Sequence, residues 1–510
     1  MITGGVVYYS YNFLKNKEIH AHMKSSNSKK MNFEPFIIRM ILLTIIIISA
    51  VLVGIGLYLP STLFFTIATF FLAGGFILSY VAIIKMSSYD GLSRVYNSDA
   101  IVMAAVKLMI LNRLPKYNCG FMNICNLKYL NTVAGSAGGD NGIAAYAKAI
   151  KKELSFGEHI GRMGGDNFVV FIKKENTEKF LEFIDSIPVT IAANGTYRTF
   201  NLKARIGMYE IKEHDNIGDI FTGSNTALAY LKESHSGYVC WYEKSMSEKA
   251  AHAQEVNSAF AEALLTGEFV PFYQPRVDGA TNTLCGAEAL CRWVKNGEII
   301  APGAFVPALE KSGQITELDF FIFEEVCKNM QRWQAEGRRL VPISSNFSKH
   351  HLMDESFAER ILEIFNRYNV DKSLIELELT ESDQMDDFKK LLDFLDKMNE
   401  AGITVAIDDF GVGYSSLELL KNRNFKIAKI DKSFIDNIET NGGDNINYRL
   451  LKNIAETCQS MDKHIVCEGV ETAGQKDLLL KLGCTEIQGY LYDRPMSLND
   501  FEKRMNEYTY

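Results

Sequence analysis

Seven short apolar stretches in the C-terminal half of this chain each carry a side chain able to hold a metal ion or a proton. Glu288 lies in residues 285–293, Asn346 in 341–347 and Glu378 in 375–381. Asp408 and Asp409 close 403–409, Lys429 sits in 425–430, Glu468 and Glu471 in 465–471, and Gln488 in 486–492. The lead residues stand 20 to 58 positions apart, room for a strand and a helix in each interval. Burying carboxylates without a partner is costly. A set of them on successive strands therefore points to a cation site, and oxygen donors of this kind suit Mg2+ or Mn2+. The chemistry expected is metal-assisted hydrolysis.

Such side chains need a frame that brings distant strand ends together. Residues 386–401 place apolar side chains at 388, 391, 392, 395 and 398, the spacing of one helix face, and stop at Gly402. Residues 446–461 repeat the pattern through Leu450, Leu451, Ile454, Cys458 and Met461. Residues 403–406 are apolar throughout, as strands covered on both faces are. Alternation of this kind across residues 256–510 predicts a (β/α)8 TIM-like barrel, with its site at the C-terminal strand ends.

Glu288-Ala289-Leu290-Cys291-Arg292-Trp293, Tyr273-Gln274-Pro275, Glu378-Leu379-Thr380-Glu381, Lys429-Ile430-Asp431, Glu468-Gly469-Val470-Glu471 and Gln488-Gly489-Tyr490 occur here in order. Asn346 and the run from Asp408 through Gly411 and Gly413 to Ser416 complete the set. Residues 256–510 thereby resemble the EAL phosphodiesterases of cyclic di-GMP signalling. The resemblance implies one ion on Glu288, Asn346, Glu378 and Asp408, and a second on Asp408 and Asp409. It implies that Lys429 orients or deprotonates the attacking water, that Glu468 and Gln488 hold the water and the ion surroundings, and that Glu471 anchors the loop after the aspartates. Substrate contacts fall on Gln274, Leu290, Arg292, Asp431 and Pro495, and the product is linear pGpG. The family's first strand runs antiparallel to the others.

Composition fits a globular chain with an apolar excess: 510 residues, 47% hydrophobic, 23% charged and a net charge of −8. That charge argues against a DNA coat. Nine cysteines without a CxxC pair read as reduced core thiols in the cytosol.

The apolar excess gathers near the start. Residues 40–59 and 61–84 hold no charge, and each is long enough to cross a hydrocarbon core of about 30 Å as a helix. They predict a transmembrane hairpin over 36–86, with helices about 38–59 and 62–84, after an N-terminal segment 1–35. Lys15, Lys17, Lys24, Lys29, Lys30 and Arg39 before it and Lys85 after it place both ends in the cytoplasm of a multi-pass cell-membrane protein. Weak patterning over 1–13 leaves Met23 and Met31 open as starts.

Residues 88–244 read as α/β: helices over 98–112, 142–154 and 217–232, strands over 120–127 and 202–211, and a hairpin over 160–173 turning at 163–167. Residues 245–255 read as a linker helix. Gly164-Gly165-Asp166-Asn167-Phe168 and the segment from Asp90 to Asn97 resemble the GGDEF domain of diguanylate cyclases, in a degenerate form. Asn123, Cys125 and Asn167 stand where that family carries acidic residues, so of its metal acids only Asp166 remains. Asn131 and Asp140 stand at its guanine-contacting positions, and Ser155-Phe156-Gly157-Glu158 replaces its inhibitory RxxD. Synthesis of cyclic di-GMP is therefore not expected. A GTP-sensing or dimerisation module and a structural relic both remain open.

Two functions follow as expectations. One is a membrane-anchored homodimeric cyclic di-GMP phosphodiesterase; the other is a membrane receptor that binds cyclic di-GMP or GTP and signals through protein contacts.

Overall fold

The computed structural model describes residues 87–510, apart from 126, 194–195, 235–236, 381–384, 412–418, 421–423, 437 and 439–445, together with 66, 69, 70 and 73–75. The predicted hairpin over 36–86 thus lies almost wholly outside the described residues. Among those described, no helix is long and apolar enough to cross a membrane. The chain divides into two compact units, 1–247 and 248–510.

The first unit is a five-stranded sheet with helices on both faces. Its elements are α1 (Ser98–Ile110), β1 (Tyr117–Ile124), α2 (Leu127–Glu153), β2 (His159–Gly164), β3 (Asn167–Lys173) and α3 (Thr177–Ile184). They continue with β4 (Ile187–Ala193), β5 (Thr196–Leu202), β6 (Ala204–Glu210), α4 (Ile217–Ser234) and β7 (Val239–Trp241). The sheet order is β2-β3-β1-β6-β7, and β4–β5 form a separate ribbon. Alternation sorts the strands: Phe168, Val170 and Ile172 of β3 join the core under α2, while Val169 and Phe171 join the one under α1. Gly164 and Gly165 adopt φ of 120° and 55°, which lets β2 turn into β3 across two residues. The helix expected over 142–154 is longer, because α2 begins at Leu127 and continues past a non-helical Gly135. The β4–β5 ribbon was not expected; its outward Thr190–Thr199 pair leaves it without a plain strand pattern.

The linker helix expected over 245–255 is part of one helix, α5 (Lys244–Leu265). Its apolar residues Val256, Phe260 and Ala263 pack with Phe269, Trp293 and Phe305, so tertiary burial extends it.

The second unit is an eight-stranded barrel. Its strands are β8 (Phe269–Asp278), β9 (Thr283–Lys295), β11 (Ile343–Phe347), β12 (Ile375–Thr380), β13 (Thr404–Phe410), β14 (Ile427–Ile430), β15 (His464–Cys467) and β16 (Glu486–Gln488). A short β10 (Glu298–Ile300) extends β9, and β8 closes the circle by pairing antiparallel with both β9 and β16. The remaining neighbours are parallel, from β9–β11 through β15–β16. Helices α6 (Val306–Ser312), α7 (Ile315–Ala335), α8 (Phe357–Tyr368), α9 (Met385–Glu400), α10 (Ile446–Ser460), α11 (Ala473–Lys481) and α12 (Leu498–Glu507) accompany them. Outward strand residues such as Ile407, Ala428 and Ile465 join the large core under these helices. Ala406, Ile427 and Val466, on the other strand face, form a separate apolar cluster inside the barrel.

Candidate active site

Two positions beyond that interior cluster, the same strand faces present Asp408, Lys429 and Glu468. Lys429 is the centre. Its Nζ lies 2.5 Å from Glu378 Oε2, 2.5 Å from Glu468 Oε1, 3.3 Å from Glu288 Oε2 and 3.4 Å from Asp408 Oδ1. These four acids arrive on four different strands or strand ends, which only closure of the barrel can bring together. Asn346 Nδ2 and Gln488 Nε2 each donate to Glu288 at 2.6 Å, and Gln488 Nε2 also reaches Gln274 Oε1 at 3.2 Å.

One ammonium faces four carboxylates, and the charges settle accordingly. Burial would strip the proton from Lys429, but Glu288, Glu378, Glu468 and Asp408 hold it well above the usual lysine range. Burial would also raise Glu288, yet Lys429 and the amides of Gln488 and Asn346 hold it below the usual carboxylate range. Glu378 goes the other way: burial and then the Glu288 charge push it well above that range. Burial and the charges of Glu288 and Asp408 carry Glu468 to about 7 against the pull of Lys429.

Among the described residues, no three His, Cys, Asp or Glu side chains close on a common point of their own as metal ligands do. They close on Lys429 Nζ instead. Glu378 Oε1 is nevertheless buried without a hydrogen-bond partner, and the negative charge exceeds what one lysine neutralises. Carboxylate and amide oxygens with charge to spare fit a hard divalent cation such as Mg2+ or Mn2+.

Asp408 and Asp409 occupy a register break, where the pairing of β13 with β14 shifts between Ile407 and Phe410. Asp409 takes a φ of 51° there and is exposed, and partial burial with the charges of Asp408 and Asp431 raises its carboxyl. Arg292 is half-buried; its Nη1 donates to the Cys291 carbonyl at 2.8 Å, and its guanidinium carbon lies 5.7 Å from the Phe272 ring centroid. Leu290 and Pro495 are half-buried as well.

Two expected residues have other partners. Asp431 accepts from the Ser433 amide at 2.9 Å and caps the turn after β14. Glu471 lies 2.6 Å from Lys432 Nζ, while loop residues 412–418, which it was expected to anchor, and Glu381 lie outside the described residues. The pattern reading overlooked a second polar set deeper in the barrel. Arg276 meets Glu376 at 2.6 Å and Glu486 at 3.2 Å. Each of these three stands two positions from Gln274, Glu378 or Gln488, so strand alternation was the signal available for finding them.

In the first unit, Asn123 Nδ2 donates to Asn167 Oδ1 at 3.0 Å across the β1–β3 pair. Asp166 is half-buried in the hairpin turn, and Cys125 is a free thiol. Asn131 and Asp140 are exposed on α2, and the Asn131 amide lies against Gly139, where a Cβ would come within 2.0 Å of its Oδ1.

Comparison with known proteins agrees with this division. The family model described as EAL domain matches residues 257–495, and that described as Diguanylate cyclase, GGDEF domain matches 87–237. The chain is 28% identical over 434 residues to "Signaling protein YkoW" of Bacillus subtilis, covering 82% of this chain and 53% of that protein. It is 27% identical over 432 residues to "Bifunctional diguanylate cyclase/cyclic di-GMP phosphodiesterase MucR" of Pseudomonas aeruginosa, covering 81% and 61%. The chain therefore spans little more than half the length of these relatives. The solved structure "PaMucR Phosphodiesterase, c-di-GMP complex" is 32% identical, covers 48% of this chain and 99% of its own, and has a TM-score of 0.46.

Proposed function

We propose, for a chain that carries a GGDEF domain followed by an EAL domain of cyclic di-GMP signalling, that the barrel hydrolyses cyclic di-GMP to linear pGpG and the GGDEF unit makes none. The observation that carries this reading is the gathering of Glu288, Glu378, Asp408 and Glu468 within 2.5–3.4 Å of Lys429 Nζ. The name of the Pseudomonas relative, which includes the phosphodiesterase activity, supports the same reaction.

Glu288, Asn346, Glu378 and Asp408 would hold one divalent ion, and Asp408 with Asp409 a second. Such ions, when bound, neutralise a phosphodiester and lower the pKa of water. The chain's own groups do the rest. Lys429, 2.5 Å from both Glu378 and Glu468, orients or deprotonates the attacking water. Glu468 pairs with Lys429 at 2.5 Å and keeps that side chain in place. Gln488 fixes Glu288 through its 2.6 Å hydrogen bond. Arg292, with one donor tied to Cys291, keeps the other arm of its fork for a substrate phosphate. Gln274, Leu290, Asp431 and Pro495 complete the substrate surface.

In the GGDEF unit, two neutral amides replace the carboxylates that would hold cations against GTP phosphates, which supports loss of synthesis. Asn131, Asp140 and Asp166 remain as GTP contacts, and binding there regulates the barrel within a homodimer. Residues 36–86 anchor the protein in the cell membrane, with its N-terminus and both units on the cytoplasmic side.

Purified full-length chain, given cyclic di-GMP and Mn2+, is expected to release pGpG, and Glu288→Ala to release none. GTP is expected to change the wild-type rate without being consumed. Negligible, equal turnover by both proteins would favour the receptor instead.

A further inference from the structure

We infer that Arg276 is a positioning residue for the ion-holding side chains: from two positions deeper in the barrel, it fixes the strands that present Gln274, Glu378 and Gln488. This rests on the metal-site reading above. Arg276 is 1% exposed, 2.6 Å from Glu376 and 3.2 Å from Glu486. Glu376 precedes Glu378 by two residues on β12, Glu486 precedes Gln488 by two on β16, and Arg276 follows Gln274 by two on β8. One guanidinium therefore bridges three strands, each bearing a site residue on the same face. Glu486 is tied in turn to His464 Nε2 at 2.5 Å on β15, the strand that leads into Glu468.

The rest of the barrel interior shows what bare stability would have used. Beneath Asp408, Lys429 and Glu468 the corresponding positions are Ala406, Ile427 and Val466, an apolar cluster. Buried ion pairs are seldom more stabilising than apolar residues of similar volume, and their best-attested use is to specify register. The ionic set lies under Gln274, Glu378 and Gln488, where two amides and an unpartnered carboxylate oxygen must be held to geometry. Gly286, two residues before Glu288, leaves the room required. A Cβ there would stand 2.6 Å from Arg276 Nη2 and 2.8 Å from Nε, so β9 makes space for the guanidinium too.

Two variants disturb this geometry while leaving every formal charge in place: Arg276→Lys and Gly286→Ala. The probe is Mn2+ alone, titrated into full-length protein and followed by electron paramagnetic resonance, beside a thermal melt that reports folding. Loss of a residue that orients metal ligands lowers affinity roughly 10–100-fold. Both variants are expected to fold and to bind Mn2+ at least about tenfold more weakly than wild type. A folded variant with wild-type affinity overturns the inference, and so does failure of both to fold, which would make Arg276 a determinant of the barrel alone. Wild type that binds no Mn2+ would overturn the metal-site reading itself, a result separable from the other two.

Discussion

Asn123 and Asn167 face each other across the antiparallel β1–β3 pair, amide to amide at 3.0 Å. This contact holds together the two strands where charged groups would have to meet a cation. Two carboxylates directly opposite would repel by roughly 0.2–1 kcal/mol unless an ion lay between them. The double variant Asn123→Asp/Asn167→Asp is therefore expected to melt a few degrees lower in EDTA and to recover in Mg2+. A melt indifferent to Mg2+ would show that this end of the sheet cannot gather a cation even with acids restored.

Lys429 neutralises a cluster that would otherwise repel itself. Lys429→Met removes the only cation within 3.4 Å of Glu288, Glu378, Asp408 and Glu468 among the described residues. Breaking a buried ion set from one side costs about 3–5 kcal/mol. The variant should unfold well below wild type in EDTA, with much of the loss regained in Mn2+. Calorimetry showing equal stability for the two proteins in EDTA would contradict this account of Lys429.

His464 Nε2 donates to the Glu486 carboxylate at 2.5 Å, and that partner outweighs burial to raise the imidazole above its usual range. A raised folded-state value means the extra stability is fully present below the unfolded histidine pKa. It disappears as pH climbs through the higher folded value. Because the side chain is 49% exposed, screening limits the effect to a few tenths of a kcal/mol. Melting temperature should fall slightly from pH 6 to pH 8 in wild type, and His464→Gln should flatten that part of the curve. Parallel curves for the two proteins would dismiss the pair as a contributor.

The apolar runs at 40–59 and 61–84 make a separate forecast. Full-length protein should sediment with membranes and resist extraction by high salt, whereas removal of residues 1–86 should release it. Persistent sedimentation of the shortened chain would move the anchor elsewhere.

Much of the site was legible because strand chemistry is local. An acid or amide inside an apolar run, repeated at strand-plus-helix intervals, announces Glu288, Asn346, Glu378, Asp408 and Glu468 without a structure. Helix α9 was readable from its spacing and from Gly402, and the first unit's hairpin from its paired glycines. What escaped depends on distant partners. Arg276 looks like an ordinary surface cation until barrel closure sets it against Glu376 and Glu486. The full length of α5 depends on Phe269 and Phe305, which bury its second half. The β4–β5 ribbon has too little apolar alternation to declare itself. The local partners of Asp431 and Glu471, Ser433 and Lys432, are likewise set by backbone turns that no pattern of residue types displays.

The irregularity in β13 has a consequence for tolerance to change. Neighbours on a flat pleated strand look opposite ways, so two successive acids would ordinarily serve different sides of the wall. A left-handed step at Asp409 cancels that alternation and keeps both within electrostatic reach of one lysine. Aspartate tolerates such a step and branched side chains resist it. Valine or isoleucine at 409 would thus do more than delete a charge: by straightening the strand, it would point position 409 away from the face that carries Asp408.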